Sequence, residues 1–258
     1  MTSEDADGWI RTRRDGAVLT VTLDRPKQLN AQTPATWTAL TAVGRSLDDD
    51  VRVVVVRGNG RAFSAGLDRS LFSTDPDVPG GLGDLARMPE DLAQERIRGY
   101  QSAFRWLRSP GIVSIAAVHG HAIGAGAQLA LACDLRVFTE DAQLRLPEAT
   151  LGLVPDLTGT SNLVELIGYS RALELCLTGR AMGAGEARGV GLANLVVPPE
   201  QLDATIDDLI AALTAPQAGA SRATAALIRS AVHNTPEEQD AAERAAQVGR
   251  LHELVGGR

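Results

Sequence analysis

Aromatic residues make up only 3% of the 258 residues, and the chain has two cysteines and four histidines. A core of the size this length allows must therefore be built from Val, Leu, Ile and Ala. A basic excess is also missing. The net charge of −7 and a pI near 5.2 suit a soluble protein and argue against a nucleic-acid or anionic-membrane partner. No apolar run reaches the roughly 18 residues of a membrane-spanning helix. The start, Met1–Gly8, is polar and acidic rather than basic and then apolar, so it does not read as a signal peptide and a cytoplasmic location is expected. Cys133 and Cys176 sit in apolar stretches and are expected as reduced core residues, not as a disulfide or a metal pair. His119, His121, His233 and His252 have no partners at metal-ligand spacing, so no metal is expected. The glycines from Gly120 read G-x-x-x-G-x-G rather than G-x-G-x-x-G, no Lys-Ser/Thr follows them, and Phe63 precedes Ser64 where a nucleophile elbow needs glycine. Dinucleotide, P-loop and serine-hydrolase chemistry are set aside accordingly.

What is present is a pair of small-residue loops, Phe63–Asp68 and Gly120–Gly126. Each follows an apolar run that reads as a buried strand, Val51–Val56 and Ile112–Val118. Small side chains allow a ligand to approach bare backbone N–H groups closely. Two such groups aimed at one carbonyl oxygen form an oxyanion hole, a strong electrostatic device in catalysis. Taken alone, the loops read first as tight turns.

The rest of the chain has an α/β order. Ala17–Leu23 alternates apolar residues with Thr, as a strand with one polar face does. Thr33-Pro34 predicts a helix start, with Trp37, Leu40, Val43 and Leu47 on its inner face. Asp48–Asp50 reads as a solvated turn and Ser73–Gly83 as a long surface loop. Glu90–Leu107 is predicted helical, and a second cycle follows through Ile112–Val118, a helix over Gln128–Ala132 and a strand over Leu135–Phe138. The repeated strand–loop–helix order implies mostly parallel strands. Residues 1–198 are expected to form the core domain. Residues 199–258 read as a helical region, with helices over Leu202–Leu213, Ala218–Val232 and a third opened by a capping box at Thr235-Pro236-Glu237-Glu238.

A third feature raises the functional reading above the bland one. In Leu144–Asp156, two carboxylates, Glu148 and Asp156, lie in an otherwise apolar segment with two prolines. A carboxyl among apolar groups is pushed up in pKa and becomes a proton shuttle near neutral pH. Spacing alone leaves both as exposed turn residues.

Together these segments resemble a known family. Arg25–Ala31, Ala62–Asp68, Gly120–Asp134, and Pro147-Glu148 followed by Leu151–Pro155 occur in the order seen in the crotonase, or enoyl-CoA hydratase/isomerase, superfamily. The resemblance implies a crotonase-like spiral of ββα units, a C-terminal helical region used in trimerisation, and a homotrimer or dimer of trimers. It implies an acyl-CoA thioester as substrate, with CoA part of the substrate and no separate cofactor. By matching positions, the oxyanion donors are expected at the N–H groups of Ala65 and Ala125. Substrate contacts are expected along Lys27, Gln28 and Leu29, along Ala62, Ser64, Gly66, Leu67 and Asp68, and at Gly124 and Gln128, with Asp68 bracing its loop. His121 is expected to pack under the site.

The departures from the family pattern set the reaction. Family hydratases typically carry two glutamates. Glu148 matches the second, but the first position is Gln128, which cannot act as an acid or base. Asp156 falls where hydratases usually have glycine and some dienoyl-CoA isomerases carry aspartate. The expected activity is therefore a double-bond shift, with Glu148 as principal base and Asp156 as second acid/base or water-positioner. Enoyl-CoA hydration and a catalytically inactive acyl-CoA-binding paralogue remain as alternatives.

Overall fold

The computed structural model describes residues 9–256, so the expectation attached to Met1–Gly8 lies outside the described residues. The chain opens with a hairpin, β1 (Ile10–Asp15) and β2 (Val18–Leu23), turned at Gly16 with φ +53°. Helix α1 (Pro34–Arg45) begins as predicted: Thr33 accepts from the Thr36 N–H and Pro34 occupies the first turn. Trp37 and Leu40 are buried, with Val43 and Leu47 packed at the edge of the core. Strand β3 (Val53–Gly58) starts two residues later than the valine run suggests. Next come α2 (Leu82–Arg87) and α3 (Glu90–Arg105), the latter ending in a short 3-10 turn.

The middle of the chain alternates between two sheets. β4 (Val113–Val118), β5 (His121–Ile123), α4 (Ala125–Ala132), β6 (Leu135–Thr139) and β7 (Gln143–Arg145) follow in order. Then come α5 (Gly159–Ile167), α6 (Tyr169–Thr178), β8 (Ala181–Gly183), α7 (Ala184–Gly189) and β9 (Leu195–Val197). The larger sheet has the order β1-β2-β3-β4-β6-β9 and is parallel from β2 onward; the smaller has β5-β7-β8. Successive turns of chain thus place one strand in each sheet, which produces a spiral rather than an open doubly wound sheet. Strands of three residues are too short to show a period, so β5, β7, β8 and β9 leave no sequence signal.

Both faces of the larger sheet are covered, which explains the nearly continuous valines of β3. Val54, Val56, Ala116 and Val118 face the main core under α1, α3 and α4. Val53, Val55, Ile115, Ala117 and Val137 face the opposite side, where Leu202 and Ile206 of α8 (Leu202–Thr214) cover them. The helical region therefore begins with a helix integral to the sheet. Beyond it, α9 (Ala218–Ser230) and α10 (Pro236–Gly256) contain no buried residue. Arg229 ties α9 back to the core through Asp134 Oδ2 at 2.9 Å and the Ile112 carbonyl at 2.7 Å. Cys133 is buried and Cys176 half-buried, both as free thiols. Burial pushes the Cys133 thiol up to about 12.

Candidate active site

The two small-residue loops lie against each other. Ser64 pairs with Ala122 of β5: its N–H donates to the His121 carbonyl at 2.9 Å, and its carbonyl accepts from the Ile123 N–H at 3.0 Å. On the other side, Leu67 pairs with Gln32 in a parallel bridge. The contact between the loops is too close for a side chain. A Cβ on Gly66, which has φ +86°, would lie 2.4 Å from the Ile123 carbonyl oxygen, and one on Gly126 would lie 2.4 Å from the Ser64 carbonyl oxygen.

A buried polar network fixes this geometry. Trp37 Nε1 donates to Gln32 Oε1 at 2.8 Å, and Gln32 Nε2 donates to Ser64 Oγ at 3.1 Å. Ser64 Oγ donates to the Asn30 carbonyl at 2.8 Å and accepts from the Gly66 N–H at 3.2 Å. Asn30 Nδ2 donates to the Ala62 and Asn59 carbonyls, each at 2.8 Å. The sequence reading missed Asn30 and Gln32. Their signal is a polar side chain flanking an apolar helix start, which occurs too often to stand out.

The network corrects the assignment of the first oxyanion donor. The Ala65 N–H donates to the Leu29 carbonyl at 2.8 Å, so it is not available to a ligand. In the parallel bridge the bonds to Gln32 come from the neighbours of Leu67, namely the Gly66 carbonyl and the Asp68 N–H. The Leu67 N–H therefore points the opposite way, and among the described residues it has no protein acceptor. Ala125 is the first residue of α4, whose N–H has no intrahelical partner. The free pair is Leu67 and Ala125, and a Cβ on Gly66 would sit 3.4 Å from Ala125 N. The error arises because side-chain size marks the loop but does not say which N–H the loop leaves unpaired.

Other expected contacts separate into surface and frame. Lys27 and Gln28 are exposed on a 3-10 turn before Leu29, which adopts φ +51°. Ala62 and Ser64 are fully buried; the Ala62 carbonyl and the Ser64 backbone and hydroxyl groups bond within the frame and shape the loop. Gly66 is likewise committed, through its carbonyl to the Gln32 N–H at 2.7 Å. Gly124 donates to the Arg145 carbonyl at 2.9 Å and, at φ +53°, turns the chain into α4. Asp68 braces its loop: burial opposes its ionisation, but bonds from the Ser70 N–H, the Ser70 hydroxyl and Arg25 hold its carboxyl below the usual range. His121 is exposed and does not pack under the site.

Glu148 opens a 3-10 turn after Pro147 and is 8% exposed. Its Oε1 accepts from Gln128 Nε2 at 2.9 Å, while Oε2 is buried with no partner. It lies beside the Gly120–Gly126 loop, since a Cβ on Gly124 would be 3.6 Å from Oε1. Burial pushes its carboxyl up, and the charge of Asp156 adds to the shift. Asp156 is half-buried and is also pushed up by burial. Its backbone carbonyl accepts from Gln101 Nε2 of α3 at 2.8 Å. A cavity of about 360 Å³ between α3 and the start of α5 reaches Asp156, along with Arg105 and Thr160, but not Glu148. The segment thus supplies one enclosed carboxylate next to the loop that carries the Ala125 N–H, and a second carboxylate closer to solvent. Such a set can hold a carbonyl oxygen as charge develops on it and move a proton at the neighbouring carbon.

Comparison with known proteins gives the family of the chain. The sequence profile of the enoyl-CoA hydratase/isomerase family matches residues 13–255, and the chain belongs to that family. A probable enoyl-CoA hydratase from Mycobacterium tuberculosis is 33% identical over 195 residues, covering 75% of this chain and 70% of that one. The peroxisomal Delta(3,5)-Delta(2,4)-dienoyl-CoA isomerase of Arabidopsis thaliana is 33% identical over 189 residues, covering 72% of this chain and 68% of its own. Among solved structures, a putative enoyl-CoA hydratase from Thermobifida fusca in complex with acetoacetyl-CoA superposes with a TM-score of 0.91. Its identity is 46%, with 98% of both chains covered. The fold is crotonase-like, as the sequence motifs imply.

Proposed function

We propose that this protein is an acyl-CoA isomerase that shifts a double bond through a thioester enolate, with Glu148 as the proton-transfer base. The observation that carries the reading is Glu148 itself: enclosed, pushed up by burial, and with its carboxylate beside the Gly120–Gly126 loop. The acyl-CoA class is supported by the Thermobifida fusca relative, whose structures contain acetoacetyl-CoA or CoA. The thioester oxygen is held by the N–H groups of Leu67 and Ala125. Fixed donors of this kind stabilise an enolate more than the ground-state carbonyl, by roughly 3 kcal/mol each. Lys27, Gln28 and Leu29 border the CoA moiety.

Gln128 favours isomerisation over hydration. Its amide oxygen already accepts from the Leu157 and Gly159 N–H groups, at 2.8 and 3.2 Å, and an amide transfers no proton. Adding water across a double bond calls for a second proton-handling group near the first, whereas moving a proton along the acyl chain needs only one base. Asp156 extends the same chemistry to a longer-range shift, a reading favoured by its raised carboxyl and by the dienoyl-CoA isomerase among the relatives. The exposed apolar residues Ile228 on α9 and Val232 just beyond it, with Leu251, Leu254 and Val255 on α10, support a homotrimer or dimer of trimers. A cytoplasmic setting fits the two free thiols.

Purified protein is expected to convert 3-hexenoyl-CoA to the conjugated 2-enoyl thioester, seen as a rise in absorbance, and Glu148→Gln is expected to lower kcat by about 10²–10⁴-fold. Full turnover by Glu148→Gln removes Glu148 from the role. Loss of absorbance on a 2-enoyl-CoA establishes hydration instead. Acyl-CoA binding without deuterium exchange at the α or γ carbon in heavy water marks an inactive paralogue.

A further inference from the structure

Gln128 stands where the family's hydratases have an acid, and its hydrogen bonds give it a defined task. It is 1% exposed on α4. The Leu157 N–H at 2.8 Å and the Gly159 N–H at 3.2 Å fill both acceptor positions of Oε1. Two backbone donors therefore fix the amide orientation and turn Nε2 toward Glu148 Oε1, 2.9 Å away. The space is fitted to this side chain, since a Cβ on Gly159 would come within 2.6 Å of Gln128 Cγ. One residue thus ties α4, the loop before α5 and the first turn of α5 to the base. It also divides the two oxygens of Glu148 into one that is held and one, Oε2, that has no partner.

We infer that Gln128 is a positioning residue that fixes the orientation of the Glu148 carboxylate by holding Oε1, and that supports the ionised form of Glu148 without adding a second titrating group. The inference deepens the isomerase reading and rests on Glu148 being the base. In the step it serves, the Glu148 carboxylate takes the α-proton and the C–H electron pair becomes the enolate double bond, with the charge on the thioester oxygen. Glu148 then returns the same proton to the γ-carbon, and the enolate collapses to the conjugated thioester. The base ends as it began, so no co-reactant is consumed. A carboxylate at position 128 would instead form a pair with Glu148 that resists double ionisation.

The groups within electrostatic reach of Glu148 are Asp156, before α5, and the Cys176 thiol of α6. Both are unchanged by substitution at 128, so a difference in pH profile between variants reports on Gln128. The test measures kcat and KM for 3-hexenoyl-CoA across pH for the wild type, Gln128→Met, Gln128→Glu and Glu148→Gln. The wild type is expected to show one rise to a plateau as Glu148 ionises. Gln128→Met keeps the volume but loses the donor. Its rise is expected to move to higher pH, with kcat down about 10-fold or more and KM within about twofold. Gln128→Glu is expected to gain a descending alkaline limb as the shared proton leaves the pair. A purely structural role lowers the rate equally at every pH. Unshifted single-rise profiles in both variants overturn the inference, and if Gln128→Met does not fold, Gln128→Glu decides alone. Glu148→Gln with full turnover overturns the isomerase reading itself. Glu148→Gln inactive beside unshifted profiles overturns only the role of Gln128. A wild-type protein with neither turnover nor exchange overturns both.

Discussion

Helices α4 and α10 obtain their stability from opposite sources. All eight residues of α4 are buried, yet its N-terminus has no side-chain cap, only Gly124. None of the 21 residues of α10 is buried, yet its start is closed by a reciprocal cap. There the Thr235 N–H donates to Glu238 Oε2 at 2.8 Å and the Glu238 N–H donates to Thr235 Oγ1 at 3.3 Å. Packing holds α4 in place so firmly that its terminal N–H groups need no local partner, and that end faces the site. In α10 local bonds substitute for packing, and the apolar side chains are left for another surface.

The largest test of this contrast uses one substitution in both helices. Gly126→Ala places a methyl 2.4 Å from the Ser64 carbonyl oxygen and 2.7 Å from Ser64 Cβ, both in the opposing loop. Overpacking of this kind is expected to cost about 3 kcal/mol and to break the register that aims Leu67 and Ala125. Gly249→Ala in α10 meets nothing within 4 Å. There the gain in helix propensity is expected to stabilise the chain by about 0.5–1 kcal/mol. Urea unfolding of the two variants gives the signs directly. A mild effect at Gly126 means that the loops are not held as tightly as their contacts imply.

The same contrast explains what the sequence made legible. The stripe of Trp37 and Leu40, the valine run of β3 and the Thr235 cap are local patterns, and the structure contains each of them. Glu148 could be singled out because a carboxyl between apolar residues is unusual in itself. The donor at Leu67 could not, because whether an N–H is free depends on Leu29 and Gln32, which pair with this loop from more than 30 positions away. Likewise Gln128 reads in sequence as a missing acid, and only the N–H groups of Leu157 and Gly159 show what its amide does. The three-residue strands escaped detection because they are set by their partners, not by their own periodicity.

A smaller effect follows from the cap. Thr235→Ala removes a side chain that accepts from Glu238 N–H and binds its carboxylate, at a cost of about 1 kcal/mol to the helix. Because α10 has no buried residue, the loss is expected to stay local. Hydrogen exchange should show the first turn of α10 less protected by about fivefold, with the strands of the larger sheet unchanged. Equal loss of protection in β3 and β4 would mean that α10 is coupled to the core more strongly than its burial indicates.

The smallest effect concerns pH, and here the two regions have opposite signs. Glu148 is pushed up by burial, so the folded chain keeps its proton in a range where the unfolded chain has lost it. That contribution to stability is present below the ordinary value of 4.5 and is lost as pH rises through the elevated folded value. Glu238 is held down, first by the Thr235 N–H, so its contribution is present above its ordinary value and is lost as pH falls. Thermal scans of the wild type and Glu148→Gln at about pH 4 and about pH 8 separate the two. Removing the ionisable group should make the variant gain in Tm relative to the wild type as pH rises. Thr235→Ala should show a larger deficit at the higher pH than at the lower, where the hydroxyl–carboxylate bond begins to weaken, while the lost acceptor for the Glu238 N–H costs the same at both. A Glu148→Gln difference independent of pH would show that burial does not oppose ionisation of Glu148, and with it would go the reason for treating this carboxylate as poised to hold a proton.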